Sequence, residues 1–295
     1  MIIRAQIIWL VLKLFSRLPL PIAHGIGVIL GNIANLFSNR LRRVVEINLR
    51  CCFPELSPIV RSKLVRSTLI EIGKTVTEMG ALWLWQPRDL LKLVKKTTGE
   101  EEFRMAIKQH HGVIAAGPHL GAWEMAGLYL SMNYPLTTLY RPPRLTELSE
   151  NIRFARSRSG ANLVATNTSG IKSLYQTLAR GEVVAILPDH NPGRGAGIFA
   201  PFFGIATNTM VLLSRLAAKN HSPVYFVYAE RLPHGVGFHL HFIPGDLQIS
   251  NSDIAVSCAY LNAGIENCIR RHPHQYQWGY KRFKIRPEGE PDFYH

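Results

Sequence analysis

A chain of 295 residues, 47% of them hydrophobic, is long enough to bury a sizeable core as one large α/β domain or two small ones. A mean hydropathy of +0.04 excludes a polytopic membrane protein, and 18% charged residues without a biased tract exclude a disordered chain. The 34 Lys and Arg against 20 Asp and Glu, a formal charge of +14, point to an anionic partner: nucleic acid, an anionic membrane surface or a phosphorylated substrate.

Seven of the basic residues (Arg4, Lys13, Arg17, Arg40, Arg42, Arg43, Arg50) lie in the first 50 positions, against the single acid Glu46. The apolar run 5–12 is too short to span a bilayer. Residues 18–39 carry no charge and are long enough, but Pro19, Pro21, His24, Asn32 and Asn35 weaken them as a spanning helix. No small-residue cleavage site follows, which argues against a removed signal peptide. The segment reads either as a membrane anchor, spanning or lying in the interface, or as a helical pair packed on the protein. Arg40, Arg42 and Arg43, directly after the apolar stretch, would be drawn to anionic headgroups and favour the anchor. This divides the chain into an anchor over 1–40 and one domain over 41–295.

Residues 58–96 carry apolar positions at helical spacing (Leu64, Leu69, Ile72, Val76, Met79). An alternation follows: a buried-type strand at 112–117, a helix at 121–132, a strand at 135–140, a helix at 145–158, a strand at 161–166, a helix at 170–180 and a strand at 183–187. The spacing then predicts a helix over 208–219, strands over 223–230 and 237–244 able to pair antiparallel, and a helix over 253–271. Short apolar strands alternating with helices make an α/β layered fold with a largely parallel sheet flanked by helices. Cys51, Cys52, Cys258 and Cys268 lack zinc-ligand spacing and read as free thiols.

In such a sheet ligands bind at the carboxyl ends of strands. The polar residues that fall there are His119, Arg141, Arg144, Asp189 and His190. His119 and Glu124, in GPHLGAWEMAG, are spaced H-x-x-x-x-E, and a carboxylate returning from the first helical turn could fix the tautomer of a general-base histidine. Twelve histidines and 20 acids make such a pair expected by chance, and His241 with Asp246 is a second one. Only the first has a strand–loop–helix context. The block LPDHNPGRGAGIFAPFFG (187–204) holds Gly193, Gly195 and Gly197 around Arg194. It reads either as a loop offering backbone N–H groups to a phosphate or as a surface turn before a core aromatic run; it matches neither a P-loop nor a dinucleotide fingerprint. Arg141, Arg144, Arg153, Arg156 and Arg158 form a basic block, either a solvated helix face or a phosphate site. The tail 275–294 interleaves aromatic and basic residues, as single-stranded nucleic-acid platforms do, or else wraps the domain. HLH at 239–241 puts two histidines on one strand face; without a nearby third ligand they read as surface histidines rather than a metal site.

NLRCCFPELS (48–57), GPHLGAWE, LYRPPR, the R-x-R of Arg156 and Arg158, LPDHNPGRGAGIFAPFFG and QWGYKRFKIRPEGEPDFY occur in this order. Together they resemble the bacterial late lipid A biosynthesis acyltransferases, the lauroyl/myristoyl transferases of the lysophospholipid acyltransferase superfamily, from about residue 40 to the C-terminus. The resemblance implies a glycerolphosphate-acyltransferase-like α/β sandwich with His119 as general base and Glu124 as its partner. It implies that Arg156 and Asp189 line the site and that Arg141 and Arg158 contact phosphate or sugar acid, with Arg194 also assigned to substrate binding. The reaction implied moves an acyl chain from acyl carrier protein to a hydroxyl of a lipid A precursor at the cytoplasmic face of the inner membrane. Such acyl transfer needs a base and oxyanion stabilisation but no metal or other cofactor. Ala122 stands where many relatives carry Asn. Another lysophospholipid, glycolipid or aminolipid acceptor is the main alternative, and nucleic acid becomes the weakest of the three partner classes.

Overall fold

The computed structural model describes residues 2–109, 112–142 and 146–294, with side chains from residue 5 onward; Arg144 and the Arg4 side chain lie outside the described residues. Its helices and strands follow in chain order. The first part is helical: α1 (Ile2–Ser16), α2 (Leu20–Leu36), α3 (Arg40–Cys52), α4 (Pro58–Leu84) and α5 (Pro87–Leu91). Then come β1 (Val94–Thr98), α6 (Glu100–Lys108), β2 (Val113–Ala116), α7 (Trp123–Asn133), β3 (Leu136–Tyr140), α8 (Ser149–Ser157), β4 (Asn162–Ala165), α9 (Thr168–Ala179) and β5 (Val183–Ile186). The last part holds β6 (Gly197–Phe202), β7 (Ile205–Met210), α10 (Leu212–Asn220), β8 (Val224–Arg231), β9 (Phe238–Pro244) and α11 (Ile254–Arg271).

The prolines and caps place the N-terminal breaks. Pro19 and Pro21 stop α1 and open α2, and Asn39 accepts the Arg42 N–H (2.9 Å) to start α3. α2 and α3 meet at 84°, and no single described helix is long and apolar enough to cross a membrane. Arg42 holds this bend, donating to the Asn35 carbonyl at 2.6 Å and to Glu46 at 2.8 Å. It is therefore a structural cation, and of the three arginines given to lipid by the sequence only Arg40 and Arg43 stay exposed. One side of α2 lies close on α4: a Cβ added at Gly31 would meet the Ile70 Cα at 2.3 Å, and one at Gly73 the Gly27 oxygen at 2.1 Å. The other side is bare, with Ile22, Ile29, Ile33, Leu36 and Phe37 exposed, as are Ile7, Leu10 and Leu14 of α1. The helices thus pack on the protein and still present an apolar face.

A buried ion cluster joins α2, α4 and β8. Glu78 accepts from Arg231 Nη2 (2.6 Å) and lies 2.9 Å from His24 Nε2, with Glu71 at 3.4 Å from Arg231. Burial, the largest single influence, would raise the Glu78 carboxyl, but the Arg231 charge and the hydrogen bonds from His24 and Arg231 together outweigh it and hold it below the usual value.

Seven strands form one sheet in the order β1-β9-β8-β2-β5-β3-β4, parallel except for β8–β9. β2 and β5 are buried along their whole length. Their side chains alternate between two cores: Ile114, Ala116, Val184 and Ile186 face the layer with α9, α10 and α11, whereas Val113, Ala115, Val183 and Ala185 face the layer with α6 and α7. The α/β class, the largely parallel sheet and the antiparallel β8–β9 pair agree with the sequence.

Two elements differ. Residues 94–96, expected within a helix, belong to the edge strand β1; its Lys95 and Lys96 hide the alternation and suit an unpaired edge. Residues 197–210, expected as loop and helix start, form the antiparallel pair β6–β7. Phe203 and Gly204, both at positive φ (49° and 74°), make its two-residue turn. The tail wraps the domain: Tyr276, Trp278, Phe283 and Tyr294 are buried, and Arg282 donates to the Asn208 carbonyl at 2.7 Å. Buried Asn48 ties it down, donating to the Trp278 and Tyr280 carbonyls. Those aromatics are core, which removes the nucleic-acid platform. The four cysteines are free.

Candidate active site

β2 and β5 are parallel neighbours in a register that pairs Ala116 with Ile186. Each runs into a proline, Pro118 and Pro188, and then a polar residue, so His119 and Asp189 leave the sheet side by side three residues beyond paired positions. The Asp189 carboxylate is fully buried and grips the histidine twice, accepting the His119 backbone N–H at 2.8 Å and lying 2.7 Å from Nδ1. Burial would raise the Asp189 carboxyl, but the His119 charge and hydrogen bonds outweigh it and hold it well below the usual carboxylate value.

His119 is also fixed through its faces. His190 stacks on it (3.7 Å between centroids, 3° between planes), Tyr280 stacks on His190 (3.9 Å), and Trp123 tilts against it at 5.3 Å. His190 lies 2.7 Å from Gln277 Oε1. Burial and the neighbouring His119 charge push the His190 value down to about 4. Gly121 is required by the chain path: its φ is +60°, and a Cβ would meet the Ala229 oxygen at 2.0 Å. The same oxygen accepts the Ala122 N–H at 2.8 Å, anchoring the loop to β8. Ala122 is the N-cap of α7 and supplies no side-chain cap, so the first-turn N–H groups keep their positive end beside His119.

Glu124 makes no hydrogen bond to His119 among the described residues, although the His119 charge acts on it. It accepts from Arg156 Nη2 and, at 3.1 Å, from Arg156 Nε, and from Trp83 Nε1 at 3.3 Å. Burial, the largest single influence, would raise its carboxyl; the Arg156 charge together with the hydrogen bonds from Arg156 and Trp83 reverses this and holds it low. The sequence spacing brought His119 and Glu124 to one cavity, and the carboxylate on His119 Nδ1 is Asp189, put there by strand register rather than local spacing. The signal was available: GPH and LPD are matching strand–Pro–polar endings.

The cavity is about 380 Å³. His119, Glu124, Arg156, His190 and Arg141 form its polar part, and Leu128, Leu136, Leu139, Leu163 and Leu187 its apolar part. Arg158 stands elsewhere. It donates to the Leu82 and Trp85 carbonyls (2.8 Å each), satisfying the C-terminus of α4, and does not line the cavity. Arg194 is exposed in the loop before β6 and does not line the cavity. Gly193 and Gly195, at positive φ, turn the chain into the hairpin. Trp83 on α4 and Tyr280 in the tail are site residues that the sequence did not single out; both come from distant parts of the chain.

A parallel-sheet fold carrying a carboxylate-held histidine at the strand ends, over an apolar-walled cavity, is the framework of an α/β acyltransferase. The chain belongs to the bacterial lipid A biosynthesis acyltransferase family, whose sequence pattern matches residues 2–285. It is 32% identical to the lipid A biosynthesis lauroyltransferase of Escherichia coli K12, over 99% of this chain and 95% of that protein. It is 31% identical to the palmitoleoyltransferase of the same organism (96% and 92% covered) and 25% identical to its myristoyltransferase (88% and 80%).

Proposed function

We propose that this acyltransferase moves a fatty acyl chain from an acyl carrier protein thioester to a hydroxyl of a lipid A precursor, with His119 as general base. The observation that carries this is the His119–Asp189 pair at the polar end of a cavity with apolar walls. Asp189 holds Nδ1, and Nε2 has no hydrogen-bond partner among the described residues. Nε2 takes the acceptor hydroxyl proton as the oxygen attacks the thioester carbonyl. The oxyanion forms near the N-terminus of α7 and the Arg156 guanidinium, which Glu124 orients. Collapse breaks the carbon–sulfur bond, and the proton on Nε2 passes to the leaving thiolate. The products are an ester and a free carrier thiol. The apolar walls suit the acyl chain, and Arg141 at the cavity suits an anionic headgroup.

Residues 1–40 place the enzyme on the cytoplasmic face of the inner membrane. The support is the exposed apolar face of α1 and α2 beside exposed Arg40 and Arg43. The test is an assay of carrier-protein thioesters of several chain lengths against lipid A precursors, lysophospholipids, other glycolipids and aminolipids. Acylation of the lipid A precursor, abolished by His119→Ala with vesicle binding retained, is the expected result. Transfer to lysophosphatidic acid alone would overturn the acceptor, and unchanged turnover in His119→Ala would overturn the base.

A further inference from the structure

One cluster of ligating side chains lies outside the acyl-transfer site. Glu230 of β8 and His239 and His241 of β9 meet on the antiparallel strand pair, where Glu230 lies opposite His239 and Tyr228 opposite His241. Glu230 Oε2 is 2.9 Å from His241 Nε2 and 3.4 Å from His239 Nδ1. One ligand atom from each residue lies within 4.8 Å of the others. His272, just beyond α11, brings Nδ1 to 3.6 Å from Glu230 Oε1. The third donor that the HLH pair lacked in sequence comes across the strand pair, and a fourth comes from the end of a helix 31 residues beyond His241 in the numbering.

We propose that Glu230, His239 and His241, with His272 as a fourth donor, bind one divalent transition metal ion of the Zn²⁺ class. Two or three imidazoles with one carboxylate are the donors that borderline ions such as Zn²⁺ select over Mg²⁺ or Ca²⁺. Zinc–nitrogen bonds of about 2.0–2.1 Å place tetrahedral ligand atoms roughly 3.3–3.4 Å apart. The His241 and His239 nitrogens lie 2.9 and 3.4 Å from Glu230 Oε2, close to that value, whereas His272 faces Oε1 at 3.6 Å and must turn in to complete the set.

The outer contacts hold the donors in place. His239 Nε2 lies 2.8 Å from Thr98 Oγ1 on β1, which keeps the ring turned so that Nδ1 faces Glu230. Tyr228 stacks on His241 (4.7 Å, 14°) and meets His272 edge-on at 5.8 Å. The donors are largely sheltered, with side chains 11–20% exposed. A bound ion would clamp β8 and β9 to the end of α11. Ala229, the neighbour of Glu230, carries the oxygen that anchors the His119 loop through Ala122. The ion is therefore a brace behind that loop, outside the acyl-transfer steps.

The test uses the full-length protein in detergent, purified without a polyhistidine tag, stripped with chelator and titrated with Zn²⁺ or Co²⁺. We expect one equivalent of Zn²⁺ retained through gel filtration, a higher melting temperature, and Co²⁺ absorption of four-coordinate intensity. His239→Ala/His241→Ala should lose the equivalent and the thermal shift. Thr98→Val, which keeps all four donors, should weaken Zn²⁺ binding about tenfold. Sub-stoichiometric binding by the wild type, a six-coordinate Co²⁺ spectrum, or equal binding by the double variant would each overturn the site. Should the double variant fail to fold, the wild-type Co²⁺ spectrum and the Thr98→Val affinity decide the matter alone.

Discussion

Asp189 holds His119 at two points, the ring at 2.7 Å and the backbone N–H at 2.8 Å, although 70 residues separate them. The double grip fixes both the tautomer and the position of the loop. Asp189→Asn keeps the shape but replaces a buried acceptor-only group by an amide that offers a donor to Nδ1 or a neutral acceptor. Turnover should fall about a hundredfold to ten-thousandfold, the usual weight of an oriented general base, with little change in KM. Steady-state kinetics on a folded Asp189→Asn protein checks this; a loss under threefold would remove Asp189 from the base.

Glu124 and Arg156 form a forked ion pair in the cavity wall, and Trp83 caps the same carboxylate. Glu124 is buried, whereas the Arg156 side chain is 37% exposed, so solvent screens the pair in part. A double-mutant cycle with Glu124→Gln and Arg156→Gln, read by chemical unfolding, should give a coupling of about 1–2 kcal/mol. The same cycle built with His119→Gln in place of Arg156→Gln should give much less, because Glu124 makes no hydrogen bond to His119. Comparable coupling in both cycles would restore the local His119–Glu124 pair.

His190 supplies a pH dependence with a defined sign. Its folded value of about 4 lies below the ordinary 6.5, because burial and the His119 charge disfavour the cation. The fold therefore prefers the neutral ring. Its contribution is present above the unfolded value and is lost as pH falls from 6.5 towards 4. Between about pH 7 and pH 5 the loss should amount to about 2 kcal/mol of unfolding free energy. His190→Gln retains a polar partner for Gln277 and cannot titrate, so its stability should fall less over the same interval. Parallel denaturant titrations at the two pH values test this, and identical slopes with pH would refute it.

What the sequence made legible, and what it hid, follows from the range of each interaction. The strands β2, β3, β4, β5, β8 and β9 were readable because each is a short apolar run with local boundaries. β1 was not, because an edge strand needs apolar contact on few positions and Lys95 and Lys96 break the pattern. His119 was legible from its loop. Its carboxylate was not, because Asp189 arrives through β2–β5 register, a property of two segments at once. Arg158 was assigned to substrate by resemblance; its bonds to carbonyls at the end of a helix more than 70 residues earlier were not legible, because they join distant segments.

The packing of α2 on α4 makes opposite predictions for two glycines of one helix. Gly31 sits where an added Cβ would lie 2.3 Å from the Ile70 Cα and 2.6 Å from the Leu69 oxygen, all backbone that cannot swing aside. Gly31→Ala should therefore push the helices apart and cost about 1–3 kcal/mol, as overpacking of a tight contact does. Gly25 has nothing within 4 Å of such a Cβ, and its φ is ordinary for a helix. Gly25→Ala should stabilise by about 0.5–1 kcal/mol through helix propensity alone. Because α2 also carries the exposed apolar face, Gly31→Ala should loosen the mount of that face while leaving its composition intact. Melting temperatures in detergent, with and without anionic vesicles, measure both effects. Equal shifts for the two variants would show that α2 does not seat against α4 through Gly31.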